Sequence, residues 1–350
     1  MVKKYVTGLV VGKFCPLHNG HLSVIKRAFE LCDRVIILSY TSERFPVCGG
    51  FRRKEWLEYA VEGLTDDPSR TIIRVLDDIV TIEDDDPEDE HRYFCANYLL
   101  NELDTTVQAV FSSEDYGQGF ADYLSKYFSD NLRTQIDVDH VMVDKSREIW
   151  PISGTQARRA LRNKHRTSML DNFLPWYVRK DFVRKVLFLG AESTGKTTIV
   201  KALGDDRGLN TALEFGRYLY DKRHGKLQYE DMAYIGKCQI EIEKYRSQGL
   251  SLNEYLYCDT SPLTTAFYSR EMFNRVSRDL FNLVADTEDS YYKIFLCSPD
   301  FPMVQDGTRK DEAFRQRGHA YYMRELEGFD YTVLRGSLEE RIATVRKELS

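Results

Sequence analysis

KVLFLGAESTGKTTIVKAL, residues 185–203, runs from an apolar stretch through a glycine-bounded loop into a helix-forming stretch. Gly190 to Thr198 fit G-x-x-x-x-G-K-[ST], and strand–loop–helix is the context in which that spacing has a function. Loop N–H groups cradle phosphates, the Lys196 ammonium reaches the β- and γ-phosphates, and the Thr197 hydroxyl binds Mg²⁺. Gly190, Glu192, Ser193, Thr194, Gly195, Lys196, Thr197 and Thr198 are therefore the candidate ATP-contacting residues. The spacing makes this a P-loop opening an α/β domain.

Working outward from the loop, short apolar runs alternate with helical periodicity. The pattern predicts a helix over 196–204, strands at 212–215 and 255–260, and a long helix near 229–248. Helices follow between 263 and 286, then strands at 291–297 and 330–334. Ser337-x-x-Glu340 is a capping box that starts the last helix. A P-loop site needs a carboxylate at the end of a neighbouring strand, and Asp259 is placed to share Mg²⁺ with Thr197. Glu214, after the run ALEF, is a candidate proton acceptor for an attacking hydroxyl, with Arg217 beside it as a substrate contact. Asp306-Gly307-Thr308-Arg309, with Arg315 and Arg317, reads as a basic lid that balances charge on a transferred phosphoryl. The alternative for that segment is a solvated, charged helix start.

The first half shows a similar alternation, with apolar runs at 5–13, 34–40, 71–76 and 109–113, a strand-like segment at 134–143, and helical segments at 21–31, 51–63, 91–103 and 155–162. Alternation of this kind predicts a parallel sheet built from βαβ units. Both halves thus read as doubly wound α/β folds. The basic, aromatic stretch 163–184 breaks the rhythm. The chain divides as a domain over 1–165, a connector over 166–184 and a domain over 185–350. Residues 83–90, EDDDPEDE, read as a solvated acidic loop.

Gly12-Lys13-Phe14-Cys15-Pro16-Leu17-His18-Asn19-Gly20-His21 follows the first apolar run and opens an amphipathic helix. Ligands of parallel α/β sheets sit at the carboxyl ends of strands, and a helix N-terminus there favours phosphate. His18 and His21, three residues apart, can face one phosphate chain and donate to an oxygen as charge develops. Gly20 leaves room for close approach of the backbone.

This segment resembles the G-x-F-x-P-x-H-x-G-H signature of the nucleotidyltransferase superfamily, the adenylyltransferases of cofactor synthesis. The companion I-S-x-T-x-x-R motif is matched by Ile152-Ser153-Gly154-Thr155-Gln156-Ala157-Arg158. Residues 111–117 are similar to the family's strand-end segment near the nucleotide. The resemblance implies that Gly12, Phe14, Gly20, Ser153 and Thr155 bind ATP phosphates. It also implies that Lys13, His18, His21, Arg158 and Mg²⁺ neutralise charge while a substrate phosphate attacks the α-phosphorus of ATP. Such a domain followed by a P-loop kinase resembles the NadR family over nearly the whole chain, about residues 5 to 348. The junction sequence, E-[FY]-G-R at 214–217, D-T-x-x-x-T-T at 259–265 and the D-G-x-R lid carry that likeness.

The resemblance implies a two-step salvage enzyme that uses ATP and Mg²⁺. The second domain converts nicotinamide riboside to nicotinamide mononucleotide (NMN), and the first converts NMN to NAD and pyrophosphate. Two departures matter. The first strand starts by Tyr5, which leaves no room for the helix-turn-helix of some members, so no DNA partner is expected. The family often has Asp at the position of Ser261, which bears on substrate choice. Trp56, Trp150 and Trp176 could each stack on a pyridinium ring, with Trp150 the named candidate. Alternatives are a nucleotidyltransferase–kinase pair for other substrates, such as dephospho-CoA or FAD synthesis beside another nucleoside kinase, or a nucleotide sensor without turnover.

Composition bounds these readings. Lys+Arg 49 against Asp+Glu 55 leaves a net charge of −6 in 350 residues, which disfavours general nucleic-acid binding. No apolar run is long enough to span a membrane and the N-terminus lacks a signal-peptide pattern, so no membrane partner is expected. Seven dispersed cysteines without a C-x-x-C pair read as free thiols in a reducing cytoplasm. Homo-oligomer formation is left open by the sequence.

Overall fold

The computed structural model describes residues 3–41, 48–163, 166, 168–304 and 310–350. The chain folds into two compact units, Met1–Phe182 and Val183–Ser350.

The first unit carries strands β1 (Tyr5–Gly12), β2 (Cys32–Ser39), β3 (Thr71–Val75), β4 (Ala109–Ser112) and β5 (Asp139–Met142). Its helices are α1 (Asn19–Leu31), α2 (Gly50–Leu64), α3 (Glu88–Asn97), α4 (Tyr116–Leu132), α5 (Gly154–Arg162) and α6 (Trp176–Arg179). The sheet is all parallel in the order β3-β2-β1-β4-β5. β1 is central, and Leu9 and Val10 on its opposite faces are both buried, as expected for a strand covered on both sides. A Cβ at Gly8 would lie 2.5 Å from Cys32 Sγ and 2.8 Å from the Phe111 ring, so only glycine lets the neighbouring strands close on β1. One core face packs Leu9, Ile36, Leu38 and Val110 against Cys95, Leu99, Phe120, Leu124 and Phe128 of the α3 and α4 region. Helix α4 has no counterpart in the sequence reading. Residues 171–182 of the segment read as a connector pack within this unit: Trp56 Nε1 donates to Asp181 at 2.7 Å, and the Tyr59 and Tyr177 rings stack.

The second unit carries β6 (Arg184–Leu189), β7 (Thr211–Ala212), β8 (Tyr255–Asp259), β9 (Lys293–Cys297) and β10 (Tyr331–Leu334). Its helices are α7 (Lys196–Leu203), α8 (Phe215–Lys222), α9 (Tyr229–Ser247), α10 (Pro262–Phe273), α11 (Arg278–Thr287), α12 (Glu312–Glu325) and α13 (Leu338–Leu349). The order is β10-β9-β6-β8-β7, again all parallel. Alternation along β6 divides the core. Val186 and Phe188 pack with Ile199, Val200 and Val345 on one face. Leu187 and Leu189 pack with Phe267, Phe314 and Tyr322 on the other. The strand expected over 212–215 ends at Ala212. Glu214 is extended at the N-cap of α8, so its backbone turns into a helix just where the apolar run suggested continued sheet.

In both units the first strand sits where the strand order reverses. The crevice beyond its carboxyl end is where ligands bind in such sheets. No helix among the described residues is long and apolar enough to cross a membrane, and all seven cysteines are free thiols.

Candidate active sites

Beyond the carboxyl ends of β1 and β4 lies a cleft of about 470 Å³. Gly12, Lys13, Phe14, His18, Gly20 and His21 line it from the β1–α1 loop, and Trp150, Ser153, Thr155 and Arg158 line it from the start of α5. These ten candidates are therefore gathered at one place. The His18 and His21 rings stack with centroids 3.6 Å apart, and the Phe14 ring meets His21 edge-on at 5.0 Å. Phe14 itself is buried, with φ +49°. His21 Nδ1 accepts the His18 backbone N–H at 3.3 Å, which leaves Nε2 to carry the proton of the neutral ring. Burial first, then the His18 ring and the Arg147 charge, hold His21 well below its ordinary value. Burial and Arg147 bring His18 down to about 4. Near pH 7 both rings are neutral hydrogen-bond donors rather than cations.

Arg158 ties the two motifs together. One guanidinium nitrogen donates to the Cys15 carbonyl at 2.7 Å, the other to the Thr155 hydroxyl at 3.1 Å. Ser153 caps α5 reciprocally with Gln156: the Ser153 hydroxyl accepts the Gln156 N–H at 3.2 Å, and Gln156 Oε1 accepts the Ser153 N–H at 2.8 Å. Ser153 thus aims the first turn of the helix at the cleft.

Sequence reasoning missed four residues of the cleft wall. Asp84, from the run read as a solvated loop, has a side chain only 9% exposed. It accepts from Lys13 Nζ at 2.7 Å and from the Thr41 hydroxyl at 2.6 Å. His91 stacks on Tyr40, and Arg92 stands beside it in the wall. Arg147, with φ +53°, pairs with Glu114 at 2.6 Å. Its loop is shaped by Asp144, whose carboxylate accepts the backbone N–H groups of Glu148, Ile149 and Trp150. Density of charge is read in sequence as exposure, so only the His91-Arg92 pair that follows the acidic run could have hinted at this wall.

In the second unit the P-loop follows β6. Gly190 has φ +145°, and a Cβ there would lie 2.8 Å from both the Cys297 carbonyl and the Thr194 hydroxyl. Gly195 has φ +81° and caps α7. Lys196 Nζ donates to the Ala191 carbonyl at 3.0 Å, as does the buried Thr194 hydroxyl at 2.8 Å. Thr197 donates its hydroxyl to Asp259 Oδ2. Asp259 Oδ1 is buried with no hydrogen-bond partner among the described residues. A stranded carboxylate oxygen beside a threonine hydroxyl is a hard-oxygen donor set that suits Mg²⁺. Glu214 feels the Asp259 and Glu192 carboxylates and the Lys196 and Arg217 cations; burial, then Asp259, raises it to about 7. Arg217 bonds Asp221 one turn on in α8.

Several singled-out side chains have other duties. Glu192 accepts from the Tyr268 hydroxyl at 3.0 Å and from the Lys310 backbone N–H at 2.9 Å. The Ser261 hydroxyl caps α10 by accepting the Leu263 N–H at 3.3 Å. Arg317 pairs with Glu271, whereas Arg315 reaches the P-loop backbone, donating to the Ser193 carbonyl at 3.1 Å. Thr198 and Ser193 border a hollow with Phe301, Val304, Leu338 and Arg341. Asp306, Gly307, Thr308 and Arg309 lie outside the described residues.

Known proteins match both halves. A model of cytidylyltransferase-like domains matches residues 9–46, and one of AAA domains matches residues 185–341. The trifunctional NAD biosynthesis/regulator protein NadR of Salmonella typhimurium is 25% identical over 309 residues, covering 86% of this chain and 71% of the relative. A crystal structure of a NadR protein in complex with NR superposes with a TM-score of 0.66 at 19% identity, covering 99% of this chain and 97% of that one. A second, with NAD and AMP-PNP, gives 0.65 at 20% identity and the same coverage. The chain is similar to NadR proteins through both units, and the two five-stranded parallel α/β units are their fold.

Proposed function

We propose that this NadR-like chain is a bifunctional NAD salvage enzyme, an NMN adenylyltransferase in its first unit and a nicotinamide riboside kinase in its second. The observation that supports the reading is the presence in one chain of two separate residue sets suited to ATP phosphates. In one, Arg158 closes the H-x-G-H loop against its companion motif. In the other, the P-loop lies beside the Thr197–Asp259 pair.

In the kinase unit, P-loop amides and Lys196 hold the ATP phosphates, while Glu214, poised near neutrality, accepts the proton of the ribose 5′-hydroxyl as it attacks. Thr197 and Asp259 would hold Mg²⁺, which neutralises charge on the transferring phosphoryl. In the first unit the NMN phosphate attacks the α-phosphorus of ATP and pyrophosphate leaves. Neutral His18 and His21 donate to the phosphate oxygens, Lys13 and Arg158 balance their charge, and Trp150 offers a stacking face to the pyridinium ring. No covalent enzyme intermediate is needed, because positioning and charge stabilisation supply the catalysis. The location that goes with this reading is cytoplasmic, supported by the free thiols.

The test is chromatography of reactions holding ATP, Mg²⁺ and either nicotinamide riboside or NMN. NAD from both is the expected result. NAD from NMN alone would move the kinase to another nucleoside, with Ser261 the first position to revert. No turnover in either would overturn the reading in favour of a nucleotide sensor.

A further inference from the structure

Two arginines, each 2% exposed, reach the backbone carbonyls of the P-loop from helices far along the chain. Arg315 of α12 donates to the Ser193 carbonyl at 3.1 Å and to the Phe301 carbonyl at 2.9 Å. Arg341 of α13 donates to the Thr194 carbonyl at 2.8 Å, to the Ser298 and Gly336 carbonyls at 3.0 Å each, and to Asp300. The two guanidinium groups share one aromatic ring, lying 5.6 and 5.0 Å from the Phe301 centroid.

We propose that Arg315 and Arg341 are positioning residues that aim the P-loop amides at the phosphates, so that nucleotide affinity in this unit is set from behind the loop. The reason is peptide geometry. In a trans peptide the carbonyl of one residue and the N–H of the next point opposite ways. Pinning the Ser193 carbonyl outward fixes the Thr194 N–H inward, and pinning the Thr194 carbonyl does the same for the Gly195 N–H. Donors already aligned need no reordering when the anion arrives. Arginine suits the task because its planar fork spans several carbonyls at once, which a lysine point charge cannot do.

The proposal rests on the kinase reading of this site, and the experiment separates the two. Arg315→Lys, Arg341→Lys and Asp300→Asn are compared with the parent chain by AMP-PNP titration, by the KM and kcat of nicotinamide riboside phosphorylation, and by conversion of NMN to NAD as an internal control. Expected are an AMP-PNP Kd and an ATP KM raised about tenfold in each lysine variant and about threefold in Asp300→Asn. The KM for nicotinamide riboside and the NMN reaction stay within a factor of two. Unchanged nucleotide affinity in the folded variants overturns the proposal, as does a fall in kcat alone, which would place the arginines at the transferred phosphoryl. Asp300→Asn loosens Arg341 while leaving it in place and carries the test if Arg341→Lys fails to fold. If the parent chain binds AMP-PNP but does not phosphorylate nicotinamide riboside, the kinase reading falls while the titration still judges the arginines.

Discussion

In the first unit the groups that face the cleft are side chains, with two stacked imidazoles, Lys13, Arg147 and Arg158 contributed by segments far apart in sequence. In the second unit the candidate phosphate donors are mainly the backbone amides of one contiguous loop, with Lys196 as the single cation of the motif and buried arginines bonded to the loop carbonyls. The difference teaches where each site is vulnerable. A side-chain site loses function one donor at a time. A backbone site has few donors that substitution can remove, and is damaged through what holds its peptides in place.

Four substitutions and conditions sharpen that contrast. Lys196→Ala removes the one cation of the loop and should lower nicotinamide riboside phosphorylation on the order of 10³-fold, the upper end for loss of a preorganised donor. NMN conversion to NAD by the same preparation should stay level; a parallel fall would break the comparison. His21→Ala should cost about 10² in the adenylylation rate with kinase activity untouched, as read by NAD formation from NMN.

The pH profiles should also diverge. Glu214 acts as a base only when deprotonated, and burial with Asp259 raises it to about 7. Kinase kcat should therefore fall about tenfold from pH 8 to pH 6, and Glu214→Gln should abolish that limb. His18, at about 4, and His21, well below its ordinary value, remain neutral throughout that window, so the histidines give NAD formation no matching limb. The smallest effect belongs to Asp84→Asn. It weakens the hold on Lys13 without removing the ammonium, and about a fivefold loss of NAD formation is expected, the size of one weakened charge-assisted contact.

The βαβ alternation was legible because strands buried on both faces leave unbroken apolar runs, such as VIIL in β2 and FLC in β9. Strand order was not, because nothing local says whether a crossover steps to the adjacent strand or past it. The second unit places β8 beside β6 and β7 outside it, unlike the outward sequence of β1, β2 and β3. Helix α4 was missed because Gly117 and Gly119 interrupt its first turn. A Cβ at Gly117 would collide with His140 and Ser112, so that glycine serves packing rather than a break. The P-loop and H-x-G-H residues were legible because their spacing carries chemistry. Asp84, Arg315 and Arg341 were not read as buried, because a charged residue in a loop or helix looks like surface until its partners arrive from another segment.

Arg158 and Arg341 also determine when each site comes into being. The Cys15 carbonyl waits for a donor 143 residues further along the chain, and the Thr194 carbonyl for one 147 residues on. During synthesis a ribosome adds about 5–20 residues each second, so either half-built site stays open for roughly 7–30 s. Each phosphate motif leaves the ribosome long before the arginine that closes it. Completion is therefore a late event in the life of each unit, and with the proposed activities the onset of NAD formation from NMN, then of NMN formation from nicotinamide riboside, would time the closure of two nascent folds in turn.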